Sequence, residues 1–362
     1  MLCCAIFATI ILIGGLYFIQ TQKNTLKKET ARLEMEARLI APQLQSSLEE
    51  MQKDVLMISQ FPPIQGLIRS SQNNGIDPLD GSTTELWRTR LETIFKSVIA
   101  PKTHYMQVRY IGVADNGREL VRIDRTQDSV KVMARDQLQQ KGQEPYFQAG
   151  LNLKPGQVYY STVNLNREHN KVQKPYVPVM RTILPVYDNK TNTLFGLIVI
   201  NAAYDQFLKT ALSSFEISED LYVINDTGHY IVSKGGEEKV IAFNLPGDEV
   251  TSPLHTDVVG QTITETNNTG TLFTAASEQD IVIHYRKLFY DPLNKNRHLT
   301  IAFAVPQEKL FKEAYKNRLY NIGLSTGLIM LAILMGFLLI RVFPRLLRRM
   351  NEDDTHTALP PS

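Results

Sequence analysis

Cysteine is almost missing from this chain. Both copies, Cys3 and Cys4, fall in the first apolar run, so nothing beyond that run can build a disulfide framework or a cysteine metal site. Net charge is also scarce, at +2 over 362 residues with the signs mixed along the chain. That excludes the concentrated basic patch that nucleic-acid binding requires. None of the seven histidines (His104, His169, His229, His255, His284, His298 and His356) pairs at a close metal-ligand spacing such as His-x-x-x-His. A Gly-x-Ser-x-Gly nucleophile elbow and a phosphate-cradling glycine loop are missing too. A triad assembled across the fold is the one arrangement that spacing does not address. The expectation is a chain that is not an enzyme, with no catalytic residues, no metal and no cofactor.

Charge is also missing from two long stretches, Leu2–Ile19 and Ile322–Ile340. Each has about the length needed to cross a hydrocarbon core, which predicts transmembrane helices over 1–20 and 321–341. The first lacks a basic leading region and a small-residue cleavage site, so it reads as an uncleaved anchor. Arg341, Arg345, Arg348 and Arg349 follow the second and favour the cytoplasmic side. Lys23, Lys27 and Lys28 argue the other way and are outweighed by that cluster. The expected topology is two-pass in the cytoplasmic (inner) membrane, with residues 21–320 periplasmic or extracellular and both termini cytoplasmic. Gly323 and Gly327 form a small-xxx-small pair that permits close helix packing.

Between these runs the strongest pattern is an apolar stripe at Leu33, Ala37, Ile40, Leu44, Leu48, Met51, Val55 and Ile58. Steps of three and four residues put these side chains on one face of a long helix. Pro42 predicts a kink or a helix in two segments, and Phe61-Pro62-Pro63 predicts its end. Residues 64–100 read as a loop followed by a helix with Leu86, Leu91, Ile94, Phe95, Val98 and Ile99 buried. Strands are expected at 105–111 and 119–123, joined by a turn at Asp115-Asn116-Gly117. Further strands are expected at 176–187 and 194–201, with a helix from Ala202 to Ser213. A smaller unit follows, with strands at 221–224, 229–232, 270–274, 281–289 and 299–305, while 237–269 reads as polar and loop-rich. The fold class is α+β: a long N-terminal helix and two tandem modules with antiparallel sheets, flanked by the two transmembrane helices.

These residues resemble a known family. Tyr105-Met-Gln-Val-Arg109-Tyr-Ile and Asn116-Gly117-Arg-Glu119-Leu-Val-Arg122 look like the first strand pair of double Cache domains. Those are PAS-like extracytoplasmic sensors of bacterial histidine kinases, diguanylate cyclases and chemoreceptors. Lys141-Gly142, Tyr146-Phe147, Gly156-Gln-Val-Tyr159-Tyr-Ser161, Leu165-Asn166-Arg167-Glu168, Pro175 with Pro178 and Arg181, and Phe195-Gly196 with Val199-Ile200-Asn201 continue the match in order. The resemblance implies a stalk helix over 24–60, a membrane-distal Cache module over 64–215 that binds the ligand, and a membrane-proximal Cache module over 216–305. A connecting helix over 306–320 and a short cytoplasmic tail over 342–362 complete it. Two features depart from the family. The sole tryptophan, Trp87, lies in the helix before the sheet, so the tryptophan-rich motif of amino-acid-binding members has no counterpart. After the second apolar run only Arg341 to Ser362 remain, too few residues for an output domain.

The candidate ligand-binding residues are Arg109, Arg122, Tyr105, Tyr110, Tyr159, Ser161, Arg181 and Asn201. An arginine within an apolar strand must find a partner when buried, and its planar fork suits a carboxylate or phosphate. The alternative for Arg109 is an internal salt bridge with Glu119 or Glu168, and Arg122 and Arg181 carry the same two readings. The tyrosines offer apolar walls with hydroxyl handles or ordinary packing. Ser161 and Asn201 serve either a turn or the cavity, and Asn166 favours a turn.

The expected function is a membrane-anchored sensor. It binds an unknown, anionic small molecule in the distal module and transmits a change through the second transmembrane helix. A homodimer through the stalk and transmembrane helices and a signalling protein partner are expected, and nucleic acid is not. The alternative is a non-enzymatic adaptor or interaction subunit that binds a periplasmic or extracellular protein partner.

Overall fold

The structure, a computed structural model, describes residues 2–126, 129–169, 171–217, 219–226, 230–234, 237–242, 267–275 and 280–341. It divides into two compact units. One is Arg32–Val305, which holds both sheets, and the other is Met1–Ala31 with Pro306–Ser362.

Helix α1 (Leu2–Ser59) carries the stripe. Leu33, Ala37, Ile40, Leu44, Leu48, Met51, Val55 and Ile58 are all buried, none more than 2% exposed. A single three-and-four spacing suffices for this because a helix returns to the same face every 3.6 residues. Beside the stripe, Arg38 pairs with Glu34 at 2.7 Å and Arg32 with Glu36 at 2.6 Å, both one turn apart. The helix runs through Pro42 as one element, in place of two segments. It ends at Ser59, and Pro62 and Pro63 then open helix α2 (Pro62–Gln72), where the sequence predicts a loop. Proline suits a first helical turn, because the amide it lacks would have no partner there.

Helix α3 (Thr84–Ile99) begins where Thr83 accepts a cap bond from the Leu86 amide at 3.1 Å. Trp87, Leu91, Phe95, Val98 and Ile99 are buried, whereas Leu86, expected inside, is 43% exposed. Trp87 takes its place and lies against Gly66 of α2, where an added Cβ would stand 2.3 Å from the indole.

The first sheet is built from β1 (Tyr105–Gly112), β2 (Glu119–Arg125), β3 (Val130–Val132), β4 (Tyr159–Tyr160), β5 (Asn164–Leu165), β8 (Pro178–Tyr187) and β9 (Leu194–Ala203). Its order is β3-β2-β1-β9-β8-β4, with β5 also on β8. The strands β6 (Arg167–Glu168) and β7 (Lys171–Val172) form a separate small hairpin. Asp115, Asn116 and Gly117 all take positive φ, at 50°, 52° and 72°, as the turn signal between β1 and β2 predicts.

The second sheet has β10 (Asp220–Asn225), β11 (Tyr230–Lys234), β12 (Glu237–Ala242), β13 (Thr269–Ala275), β14 (Asp280–Phe289) and β15 (His298–Pro306), in the order β12-β11-β10-β15-β14-β13. Both sheets therefore follow one plan, in which the first strand lies between the second and the last. β12 falls in the stretch expected to be loop-rich. The rest of that loop (243–266), the turn at Thr227–His229, His255 and the Arg345–Arg349 cluster lie outside the described residues.

The expected transmembrane helices are corrected. Among the described residues, no helix is long and apolar enough to cross a membrane. The apolar runs at 1–20 and 321–341 are the ends of longer helices, α1 and the C-terminal helix Gln307–Arg341, rather than separate spans. The two-pass inner-membrane topology, the placement of 21–320 between two anchors, and the relay through a second transmembrane helix lose their basis with them. The same holds for a dimer joined by such helices. What stands is an α+β fold of helices and antiparallel sheets.

Candidate ligand-binding site

In an antiparallel sheet, residues directly opposite one another share a face. Arg109 of β1 lies opposite Arg122 of β2, Gln107 opposite both Asp124 and Asn201, and Arg181 of β8 opposite Asn201 of β9. Three arginines and an asparagine, far apart in sequence, thus meet on one face. Toward the other end of that face, Ile111, Ile183, Leu197 and Val199 pack with Tyr146, Phe147 and Leu153. Tyr146 and Phe147 come from the helix Pro145–Leu151, whose Gly150 lets it press on Leu197.

The polar end is buried. Arg109, 2% exposed, donates to the Tyr146 hydroxyl at 3.0 Å, to Asn201 Oδ1 at 2.6 Å and to Glu119 Oε1 at 3.4 Å. Arg122 grips Asp124 with two bonds, at 2.8 and 2.6 Å, and reaches Glu168 Oε2 at 2.9 Å. The expected internal salt bridges are therefore present, Arg109 with Glu119 and Arg122 with Glu168. Glu168 also accepts from Gln107 at 2.8 Å and Gln139 at 2.7 Å, and Lys141 Nζ stands 3.9 Å away. Burial alone would raise the Glu168 pKa, but the charges of Arg122 and Lys141 and the bonds from Gln107 and Arg122 bring it down to about 2. Burial, with the nearby Arg109 charge, lowers Lys141 to about 8.

Arg181 differs from the other two arginines. It donates to Asn164 Oδ1 at 2.6 Å and to Asn166 Oδ1 at 3.5 Å, and its guanidinium lies 4.8 Å from the centre of the Tyr146 ring. Among the described residues no carboxylate stands within ion-pair distance of it. Glu144 and Glu168 act on it only through their fields, and burial with the Arg109 charge lowers its pKa to about 10. The Nε atoms of both Arg109 and Arg181 are buried without a hydrogen-bond partner. A buried donor left open is costly, on the order of 1–3 kcal/mol, and an arginine fork with an open edge is chemically a carboxylate or phosphate receptor.

A cavity of about 270 Å³ adjoins this network, bounded by Gln107, Arg122, Arg125, Lys131, Glu168, Met106 and Met133 among others. A larger hollow of about 700 Å³ lies between Gln45–Leu56 of α1 and the turn at 289–295. It borders none of the three network arginines. Among the described residues no group of three or more His, Cys, Asp or Glu side chains could hold a metal ion.

The other expected residues do not join this cluster. A register shift between Tyr105 and Gln107 breaks the alternation, and the Tyr105 hydroxyl turns instead to Asp54 of α1. Tyr110 follows Arg109 directly and so faces the opposite side of the sheet, where it packs on Phe195 with its hydroxyl unpartnered. Ser161 Oγ accepts from the Arg181 amide at 2.9 Å and so braces the strand. Tyr159 lies beneath Arg297 of the turn before β15, 5.3 Å from ring centre to guanidinium carbon. Gln107, Gln139, Lys141 and Tyr146 belong to the network, although none is among the candidate ligand-binding residues. Gln107 was within reach, being two residues from Arg109 on the same strand face. Asn166 does brace a turn, its side chain donating to Gln173 at 2.8 Å, and it also faces Arg181.

The sequence model for the sensor domain of bacterial histidine kinases matches residues 77–250. The fold is that of a bacterial sensor domain. The extracellular domain of the histidine kinase vpHK1S-Z8 superposes with a TM-score of 0.60 at 17% identity, over 82% of this chain and 96% of that one. A domain of a sensory box/GGDEF family protein from Vibrio parahaemolyticus gives 0.57 at 16% identity, over 80% and 99%. The periplasmic sensory domain of the Campylobacter jejuni chemoreceptor Tlp1 gives 0.55 at 14%, over 80% and 98%. No curated protein matches the sequence. These relatives are sensor domains and none is a catalytic domain, in agreement with the expectation that the chain is not an enzyme.

Proposed function

We propose that this sensor-domain chain is a non-enzymatic interaction subunit that takes a small anionic molecule in the polar network of its first sheet and engages a protein partner. Arg181 carries the first half of this reading: a buried guanidinium with only amide and aromatic neighbours, beside a second guanidinium that also has an open Nε. A carboxylate reaching those two open edges would offset the burial of their charge; of the three arginines, Arg122 is the one that lines the adjoining cavity. The finer assignment to the double Cache type is supported by the repetition of one strand order in both sheets, which suits modules over 64–215 and 216–305.

Apolar surface turned outward supports the second half. Leu12, Ile13, Leu16, Tyr17 and Ile19 on α1 and Met330, Leu331, Ile333, Leu334 and Met335 on the C-terminal helix are all at least 50% exposed. Apolar surface left open in this way marks an interaction site. A homodimer through the helix 24–60 fits the outward pair Met35 and Leu39, one turn apart.

A thermal-shift screen of the full chain against mono-, di- and tricarboxylates, phosphates, amines and nucleosides tests the ligand half. Stabilisation by an anion class that is lost in Arg181→Met supports it, and stabilisation by amines or nucleosides alone overturns it. A photo-crosslinking side chain at Leu16 or Ile333 tests the partner half, which falls if no protein adduct forms.

A further inference from the structure

We infer that Arg297, from the second sheet, is a positioning residue for the polar site of the first. It rests on the anion-binding reading above only in what it takes that site to be for. Arg297 closes the turn before β15. Asp291 shapes that turn by accepting from the amides of Leu293 and Asn294 at 2.9 and 3.2 Å, and it holds Arg297 Nη1 at 3.1 Å. The guanidinium then leaves its own sheet. It donates to the backbone carbonyl of Tyr160 and lies over the ring of Tyr159, while the Tyr160 ring meets Tyr290 edge-on at 5.7 Å. Both residues of β4 are therefore gripped by one turn of the second sheet.

The segment that follows β4 builds the polar site. Ser161 donates its amide to the Arg181 carbonyl at 2.8 Å and accepts from the Arg181 amide. Asn164 and Asn166 receive the Arg181 guanidinium, and Glu168 receives Arg122. One residue step separates the grip of Arg297 from the first contact with Arg181. The segment from Tyr159 to Glu168 has few ladder bonds of its own, since β4 and β5 pair with β8 over only two residues each. A short edge segment of this kind depends on side-chain anchors for its placement, and Arg297 supplies two of them. A cation held by Asp291 and Asp226 on its own side and donating to the Tyr160 carbonyl on the other ties the placement of the site's acceptors to the integrity of the second sheet.

Hydrogen exchange on the full chain tests this, comparing the natural protein with Arg297→Gln and with Tyr159→Leu. The expected result for Arg297→Gln is exchange at the Ser161 and Asn166 amides faster by about tenfold or more, with the central amides of β1 unchanged. Tyr159→Leu, which removes only the ring beneath the guanidinium, should give a smaller rise at the same amides. No change at Ser161 and Asn166, or an equal rise throughout the first sheet in both variants, overturns the inference. Citrate serves as the binding probe: its thermal stabilisation of the natural protein should fall severalfold in Arg297→Gln, and full retention of that stabilisation counts against the inference. Should citrate leave the natural protein unaffected, the anion reading loses support while the exchange pattern still decides the role of Arg297.

Discussion

The two sheets share a strand order and differ in what they bury on the face turned away from α1. In the second sheet that face is a plain apolar cluster of Tyr222, Ile224, Ile281, Ile283, Tyr285, Ala302 and Ala304. In the first, half of it is a charged network of Arg109, Arg122, Arg181, Glu119 and Glu168. Apolar burial stabilises without direction, at roughly 25 cal/mol per Å². Buried charge contributes little net stability over an apolar core and is costly when incomplete. The cost of buried charge is thus concentrated in the first sheet, and the second is held by apolar packing. α1 meets the two sheets with different chemistry as well. Against the second, Glu34 accepts from Arg286 at 2.5 Å and His284 at 3.0 Å, whereas against the first, Asp54 receives Lys102 and the Tyr105 hydroxyl.

The largest expected effect tests the charged side. Arg109→Met leaves Glu119 and Asn201 facing an uncompensated site and should cost about 3–5 kcal/mol in urea unfolding. A cost under about 1 kcal/mol would mean that the network tolerates the loss of its centre. On the apolar side, Ile283→Ala should cost about 2–5 kcal/mol by leaving a cavity, with no change in the response to carboxylates. A lost response would show that the second sheet takes part in binding directly.

Acid should act on both sheets, because Glu34, which joins α1 to the second, is brought down to about 2 as Glu168 is in the first. The Glu168 carboxyl lies near 2 when folded against an ordinary value of 4.5. A depressed carboxylate contributes stability that is complete above its unfolded pKa and is lost as pH falls through the folded one. Unfolding measured from pH 5 to pH 2 should therefore show a decline that Glu168→Gln flattens, on the order of 1–3 kcal/mol. An identical decline in the variant would assign the acid sensitivity elsewhere. The smallest effect concerns neither sheet. Thr83→Ala removes the cap of α3 and should cost about 1 kcal/mol, with binding unaltered.

Much of this architecture is legible along the chain. The α1 stripe, the Asp115-Asn116-Gly117 turn and the long strands Pro178–Tyr187 and Leu194–Ala203 follow from local spacing and turn chemistry, and all are present. α2 was hidden because two prolines read as a stop are equally good as a start. β12 was hidden because Glu237-Glu238-Lys239 looks like loop until a neighbouring strand supplies its bonds. The membrane expectation rested on charge-free runs and flanking basic residues, and it is set aside because no helix among the described residues is long and apolar enough to cross a membrane.

What the sequence determined by itself was periodicity: which side of α1 turns inward, where the first hairpin reverses, and that Arg109 and Tyr110 could never share a face. Tertiary structure alone decided which arginines meet. Pairing across β2, β1, β9 and β8 brings Arg109, Arg122, Asn201 and Arg181 together, and a single register shift sends Tyr105 to α1. Spacing along one strand fixes parity within that strand, but only the hydrogen-bonded register between strands fixes which residues become neighbours.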